Sequence, residues 1–511
     1  MTTATALNHT RRRAELAELG DGARVDVVVI GGGITGTGIA LDAATRGLSV
    51  VLVEKHDLAF GTSRWSSKLV HGGLRYLASG NVGIARRSAI ERHILMTRNA
   101  PHLVHAMPQL VPLLPEMSTA SRALVRIGFA AGDGLRRLAG TSASTLPRSR
   151  RIDAQRAVEL APTVRTRGLD GGLLAYDGQL VDDARLVTAV ARTAAQHGAK
   201  ILTRVSAVEA SGSSTVLTDT LTGETMTVTA RAVVNAAGVW AGEVDPAIRL
   251  RPSRGTHLVF DAAAFGNPVA ALTIPIPGAL NRFVFAMPEQ LGRVYLGLTD
   301  EDAPGPIPDV PEPSAEEVSF LLDTVNTALS VELGAQDVLG SYAGLRPLIE
   351  SAGHTADVSR EHAVTESSTG MLSVIGGKLT EYRYMAEDVI DHAVRLRGLT
   401  AGPCRTRNLP LVGAPANPVA ALRTPAELPG SLVARYGAEA PNVIAEASCA
   451  RPTEPVADGI DVTRAEFEYA VTHEGALTMD DILDRRTRIG LVADDRSRVA
   501  AAAEEMLAAA N

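Results

Sequence analysis

Three glycines and one carboxylate near the start of the chain have the types and spacing to hold a phosphorylated ligand. Gly31, Gly33 and Gly36 follow the apolar run Val25-Asp26-Val27-Val28-Val29-Ile30 in the pattern G-x-G-x-x-G, and Glu54 closes a second run, Ser49-Val50-Val51-Leu52-Val53. A buried strand, a tight turn, a helix from about Ile34 to Arg46 and a second strand ending in an acid make one β-α-β unit. In such a unit Gly31 permits the turn, Gly33 lets backbone approach a pyrophosphate, and Gly36 lets the helix pack on the strand. The helix N-terminus offers free N–H groups to phosphate oxygens. The acid lies roughly 20 residues past the last glycine, where it hydrogen-bonds a ribose without a 2′-phosphate. The chemistry is dinucleotide binding, with FAD or NAD favoured over NADP.

A nicotinamide enzyme can keep its whole cofactor site in one contiguous domain. Here small residues recur at strand ends far downstream, in Val233-Val234-Asn235-Ala236-Ala237-Gly238 and in Ser373-Val374-Ile375-Gly376-Gly377-Lys378. Such ends let backbone approach a flat ring system, and Lys378 adds positive charge beside it, so the pattern favours FAD. The paired acids Asp182 and Asp183 precede an amphipathic run from Arg185 to His197. An N-cap carboxylate explains them better than catalysis.

The rest of the chain bounds the answer. Its 511 residues exceed one compact core and predict roughly two or three domains. A net charge of −7 argues against nucleic-acid binding. Two cysteines, Cys404 and Cys449, without C-x-x-C spacing predict neither disulfides nor a redox dithiol, and no metal site is expected. With neither a signal peptide nor a membrane span in view, the expected compartment is the cytoplasm. Residues 1–22 read as a mobile arm in which Arg11-Arg12-Arg13 is solvated charge. Residues 23–400 read as the cofactor domain with an interleaved substrate domain, whose sheet covers roughly residues 245–365. The five prolines between Asp302 and Pro313 make a loop after the strand-like Val294-Tyr295-Leu296-Gly297-Leu298. Residues 401–424 read as a linker, and 425–511 as a small helical domain.

At these motifs the chain resembles the FAD-dependent, quinone-linked glycerol-3-phosphate dehydrogenases. Residues 30–47, with Asp42 and Arg46-Gly47, resemble the family's first signature, and Gly376 to Ala386 its second. Thr62-Ser63, the run from Ser66 to Leu77 containing His71-Gly72-Gly73-Leu74-Arg75, Val181 to Leu186 and Gly344-Leu345-Arg346-Pro347-Leu348 fit in the same order. Arg64-Trp65 departs from it, standing where the family has small residues. The resemblance implies a mixed α/β plus α+β architecture: a glutathione-reductase-type FAD-binding Rossmann domain, an antiparallel substrate sheet and a C-terminal helical cap. It also implies oxidation of sn-glycerol 3-phosphate to dihydroxyacetone phosphate, with electrons passed to a membrane quinone. A homodimer is common in that family.

Carried over position by position, the resemblance nominates further flavin contacts at Thr62, Ser66, Ser67, Val205, Gly238, Gly377, Leu379 and Thr380. It nominates Arg75, Arg346, Arg360 and Lys378 as the cations around a dianionic substrate, where a guanidinium fork suits phosphate oxygens. His257, in Arg254-Gly255-Thr256-His257-Leu258-Val259, matches the family's active-site histidine. A neutral imidazole titrating near pH 7 is a natural acceptor for the hydroxyl proton. His71 is the second choice.

An enzyme that reduces quinone must touch a bilayer from the inner face of the cell membrane. The stretch Ser118 to Arg151 mixes seven arginines, Arg136 and Arg137 among them, with the single acid Asp133 and several apolar residues. That mixture suits anionic headgroups, and equally a solvated helix with an internal apolar face. Two rival activities stay open: an oxidase that gives the same electrons to oxygen, and, more distantly, a flavoprotein amine or amino-acid oxidase.

Overall fold

Strand Arg24–Ile30 carries Val27, Val28 and Val29 fully buried because it runs through the middle of a parallel sheet. Burying each such valine contributes about 1.5–3 kcal/mol. The computed structural model describes residues 4–20, 22, 24–73, 81–276, 282–349, 361–415 and 428–510. Among them the chain forms two large sheets, of eight and ten strands.

In the first sheet the parallel strands run in the order Leu372–Gly376, Thr225–Asn235, Arg24–Ile30, Val50–Glu54 and Lys200–Thr203. Ile30 stands level with Asn235 on one side and Val53 on the other, so three strands end together and open a crevice at their carboxyl ends. Helix Ile34–Thr45 leaves that crevice and is buried along almost its whole length between helices Asp183–Gln196 and Tyr382–Arg397. Its close approach to the second of these needs a glycine, since a Cβ on Gly38 would sit 2.9 Å from Tyr382 Cδ2.

The second sheet is mostly antiparallel. Leu250–Asp261 pairs with Arg293–Gly297 and with Gly340–Ile349, and the sheet continues through Phe283–Glu289 and Ala271–Pro275. It extends beyond the expected limits of 245–365, because Val104–Pro112, Gly172–Leu180 and Leu69–Val70 join it from earlier in the chain. Leu258, Phe260, Leu272 and Leu296 pack on Leu321 and Val325 of helix Ala315–Asn326, which the proline-rich stretch delivers to a Ser314–Glu317 capping box.

The C-terminal part has its own core of Val462, Phe467, Ile482, Val499 and Met506, under helices Arg464–Thr472 and Ala493–Ala510. Two expectations need correction. The described part of the N-terminal arm is packed down: helix His9–Gly20 sets Leu19 against the first sheet, and Arg12 is buried in an ion pair with Asp219 at 2.7 Å. The described part of the expected linker is strapped down, since Leu411 N–H donates to Asn99 O (2.8 Å) and Asn99 Nδ2 donates to the carbonyls of Thr406 and Leu409.

Candidate active site

A cavity of about 500 Å³ opens at the carboxyl ends of the parallel strands and continues to the face of the second sheet. At one end lies the glycine turn. Gly31 has φ +115°, and a Cβ on Gly36 would collide with Gly31 O, so neither position tolerates a side chain. Ser63 Oγ accepts the first helical N–H, from Ile34, at 2.9 Å. Glu54 accepts from Gly32 N–H (2.7 Å) and His56 N–H (2.8 Å), and burial pushes its carboxyl above the ordinary range. The cavity brings together Gly31, Gly33, Glu54, Thr62, Ser66, Ser67, Val205, Gly238, Gly377, Leu379 and Thr380. Gly36 is not in its wall; it serves the turn. A void of this size, with a helix N-terminus and a carboxylate at one end and Gly376-Gly377 at the other, fits a dinucleotide carrying a flat ring.

At the sheet end stand His257, Arg346 and Lys378. His257 lies opposite Gly297 and Tyr342 in register, and a Cβ on Gly297 would overlap its ring. The imidazole stacks on Tyr342 at 4.7 Å and 11°, and its Nε2 is 2.9 Å from Ser67 Oγ. Burial, with Lys68 and Arg346 adding positive charge, pushes its pKa down to about 3. The expectation of an imidazole titrating near pH 7 is therefore corrected. Without an anion beside it, this ring is locked neutral.

Arg346 packs over Gly255 and is held by Ser253 Oγ (3.2 Å), Thr299 O (3.2 Å) and Asp300 (3.3 Å). Lys378 Nζ lies 2.7 Å from Glu381 and 2.5 Å from Ser88 Oγ; despite burial, Lys378 holds Glu381 ionised. His71 is half-exposed beside Asp177 at 3.2 Å. Arg75 and Arg360 lie outside the described residues.

Sequence reasoning missed what supports this end. Asp182 does cap helix Asp183–Gln196, accepting from Arg185 N–H at 2.9 Å, worth about 1 kcal/mol. Asp183 does more than begin that helix. It accepts from Ser66 N–H (2.9 Å) and Oγ (2.7 Å) and pairs with buried Lys68 at 2.8 Å. Trp65 stacks on Tyr342 at 5.5 Å, in room left by Gly344. From the C-terminal domain, Arg485 and Arg486 grip buried Asp57 at 2.7 and 2.9 Å. Burial would raise the Asp57 carboxyl, but the two guanidiniums hold it low.

This fold and cavity define a FAD-dependent oxidoreductase. The chain belongs to the glycerol-3-phosphate dehydrogenases of that class. Residues 26–383 match the model of the FAD-dependent oxidoreductase family, and residues 404–510 match the C-terminal domain of alpha-glycerophosphate oxidase. The chain is 76% identical over 507 residues, 98% of each protein, to glycerol-3-phosphate dehydrogenase 1 of Mycobacterium tuberculosis. Its structure resembles the glycerol-3-phosphate dehydrogenase of Bacillus halodurans solved with FAD, with a TM-score of 0.73 and 29% identity over 98% of this chain and 94% of that one. The L-alpha-glycerophosphate oxidase of Mycoplasma pneumoniae shares the fold, with a TM-score of 0.57 and 17% identity over 76% of this chain and 99% of that one.

Proposed function

We propose that this chain oxidises sn-glycerol 3-phosphate to dihydroxyacetone phosphate and passes the electrons to a membrane quinone. The observation that carries the reading is that His257 and Arg346, on adjoining strands, both line the cavity that holds Gly377 and Lys378. Bound FAD supplies the hydride acceptor. Arg346, with Arg75 and Arg360 from the resemblance, binds the phosphate, and His257 Nε2 takes the hydroxyl proton. The arriving dianion offsets the charge of Lys68 and Arg346 that depresses the imidazole, so the base gains strength when substrate is in place. Lys378, in the cavity lining, would supply positive charge to a bound flavin and so favour its reduced form.

The test is anaerobic addition of glycerol 3-phosphate to the yellow protein. Bleaching is expected, and His257→Asn should keep FAD while slowing bleaching by about 10²–10⁴-fold. A wild-type rate in that variant would remove the proton-acceptor role. The match of residues 404–510 to an oxidase domain favours a second acceptor, oxygen. Hydrogen peroxide formed at the rate of substrate oxidation, without quinone, would select it.

No helix among the described residues is long and apolar enough to cross a membrane. Helix Thr119–Leu138 offers surface contact instead: Leu124, Ile127 (66% exposed) and Leu138 (73% exposed) face outward beside exposed Arg126 and Arg137. Arg136, expected among the surface cations, is buried and donates to Thr141 O at 2.7 Å. An outward apolar stripe next to arginines suits an anionic bilayer on the cytoplasmic side. Ile127→Asp with Leu138→Asp should abolish sedimentation with anionic vesicles; undiminished sedimentation removes this helix from the contact.

A further inference from the structure

The Arg64–Lys68 turn carries more restraint than a loop needs. Lys68 is 1% exposed yet holds a left-handed φ of +58°, a conformation that a non-glycine residue keeps only where its surroundings enforce it. Those surroundings are ionic. Lys68 Nζ donates to Arg64 O at 3.1 Å and pairs with Asp183, and Asp183 accepts both the N–H and the hydroxyl of Ser66. Arg488, from the C-terminal domain, is also 1% exposed and left-handed, with φ +64°. Its guanidinium donates to Arg64 O at 2.8 Å and to its own Asp484 O at 2.7 Å. It also pairs with Asp182 at 3.2 Å and lies 5.2 Å over the Trp65 ring. Trp65 stacks on Tyr342 and Tyr342 on His257; the Tyr342 hydroxyl donates to Ser66 O at 3.1 Å.

We propose that Arg488 is a positioning residue: from the C-terminal domain it clamps the Arg64–Lys68 turn and so fixes the Ser67 hydroxyl against His257. Arg488 does not itself line the cavity; it lies behind the wall, against the outer side of Trp65, which does. Its action runs through the Arg64 carbonyl and Asp182, and the inference rests on the reading of His257 as proton acceptor. Only a planar fork can serve two carbonyls and a carboxylate from one buried position, so lysine is not an equivalent.

Arg488→Lys should stay yellow and keep its KM for glycerol 3-phosphate within about twofold, while flavin reduction slows on the order of tenfold. In a His257→Asn background the same change should alter the residual rate by less than about twofold, because its effect is spent through that ring. An equal loss in both backgrounds overturns the proposal. A substrate-free readout runs alongside: nitrogen NMR of FAD-loaded protein with isotope-labelled histidine, the His257 signal being assigned by its loss in His257→Asn. That signal should move in Arg488→Lys, and an unmoved signal also overturns the proposal. If Arg488→Lys does not accumulate folded, Asp182→Asn, which keeps the helix cap and removes the charge facing Arg488, takes its place in both measurements. Wild-type protein that glycerol 3-phosphate does not bleach refutes the substrate assignment, and the clamp is then decided by the NMR signal alone.

Discussion

At the Gly31 end of the cavity the glycine turn and Glu54 come from one short stretch, residues 31–54, and what shapes the turn is steric. At the His257 end the groups are side chains from distant stretches, and what shapes them is charge: Lys68 with Asp183, Arg346 with Asp300, Lys378 with Glu381. A glycine turn is specified by what its neighbours forbid, so it fails all at once. A set of buried ion pairs fails by degrees, because removing one partner leaves the other desolvated and uncompensated.

The largest effect should come from Gly36→Val. Its side chain has nowhere to go but into Gly31 O, so flavin content and folded yield should both be lost. Folded, yellow Gly36→Val protein would break the contrast between the two ends. Next, Asp57→Asn leaves Arg485 and Arg486 buried without their shared carboxylate, and should cost about 3–5 kcal/mol while the flavin turn stays intact. Thermal unfolding with the flavin spectrum as a second probe separates these outcomes.

The smallest effect, taken one pH unit at a time, is one of pH. His257 binds its proton at about 6.5 when unfolded and at about 3 when folded, so between those values the unfolded chain holds more protons and stability falls as pH falls. Above pH 6.5 the contribution is constant. Wild type should therefore lose stability relative to His257→Asn below pH 6.5, by at most about 1.4 kcal/mol per pH unit. Parallel denaturant curves at each pH check the slope, and identical slopes would mean the ring is not held neutral.

The same contrast explains what could be read from the amino acids. The nucleotide turn was legible because its glycines, strands and acid are contiguous and their order carries the geometry. Glu54 and Gly377 come to one cavity as expected from strand ends that finish together. The supports of the other end were not legible, since a buried arginine looks like a surface one until its partner is known. Arg12 belongs to a run that reads as solvated charge, yet its partner Asp219 is 207 positions away. Arg488 sits in a stretch with no strand pattern or spaced glycine motif to flag it, and Asp183 hides behind the neighbour that caps the helix. Arg136 was misread for the same reason, as one arginine among many. Trp65 was visible as a departure from the resembled pattern. Its meaning came only with Gly344, which leaves the space it fills.

The joining of Arg485 and Arg486 to Asp57, and of Leu7 N–H to His473 O, also sets an order of events during synthesis. The nucleotide turn leaves the ribosome well before Arg485, Arg486 and Arg488, which carry the counter-charges for Asp57 and Asp182. A nascent chain halted before residue 485 would carry the turn with these acids unmatched. Stable packing around these acids is thereby tied to translation of residues 485–488, and products terminated before them should be open to proteolysis.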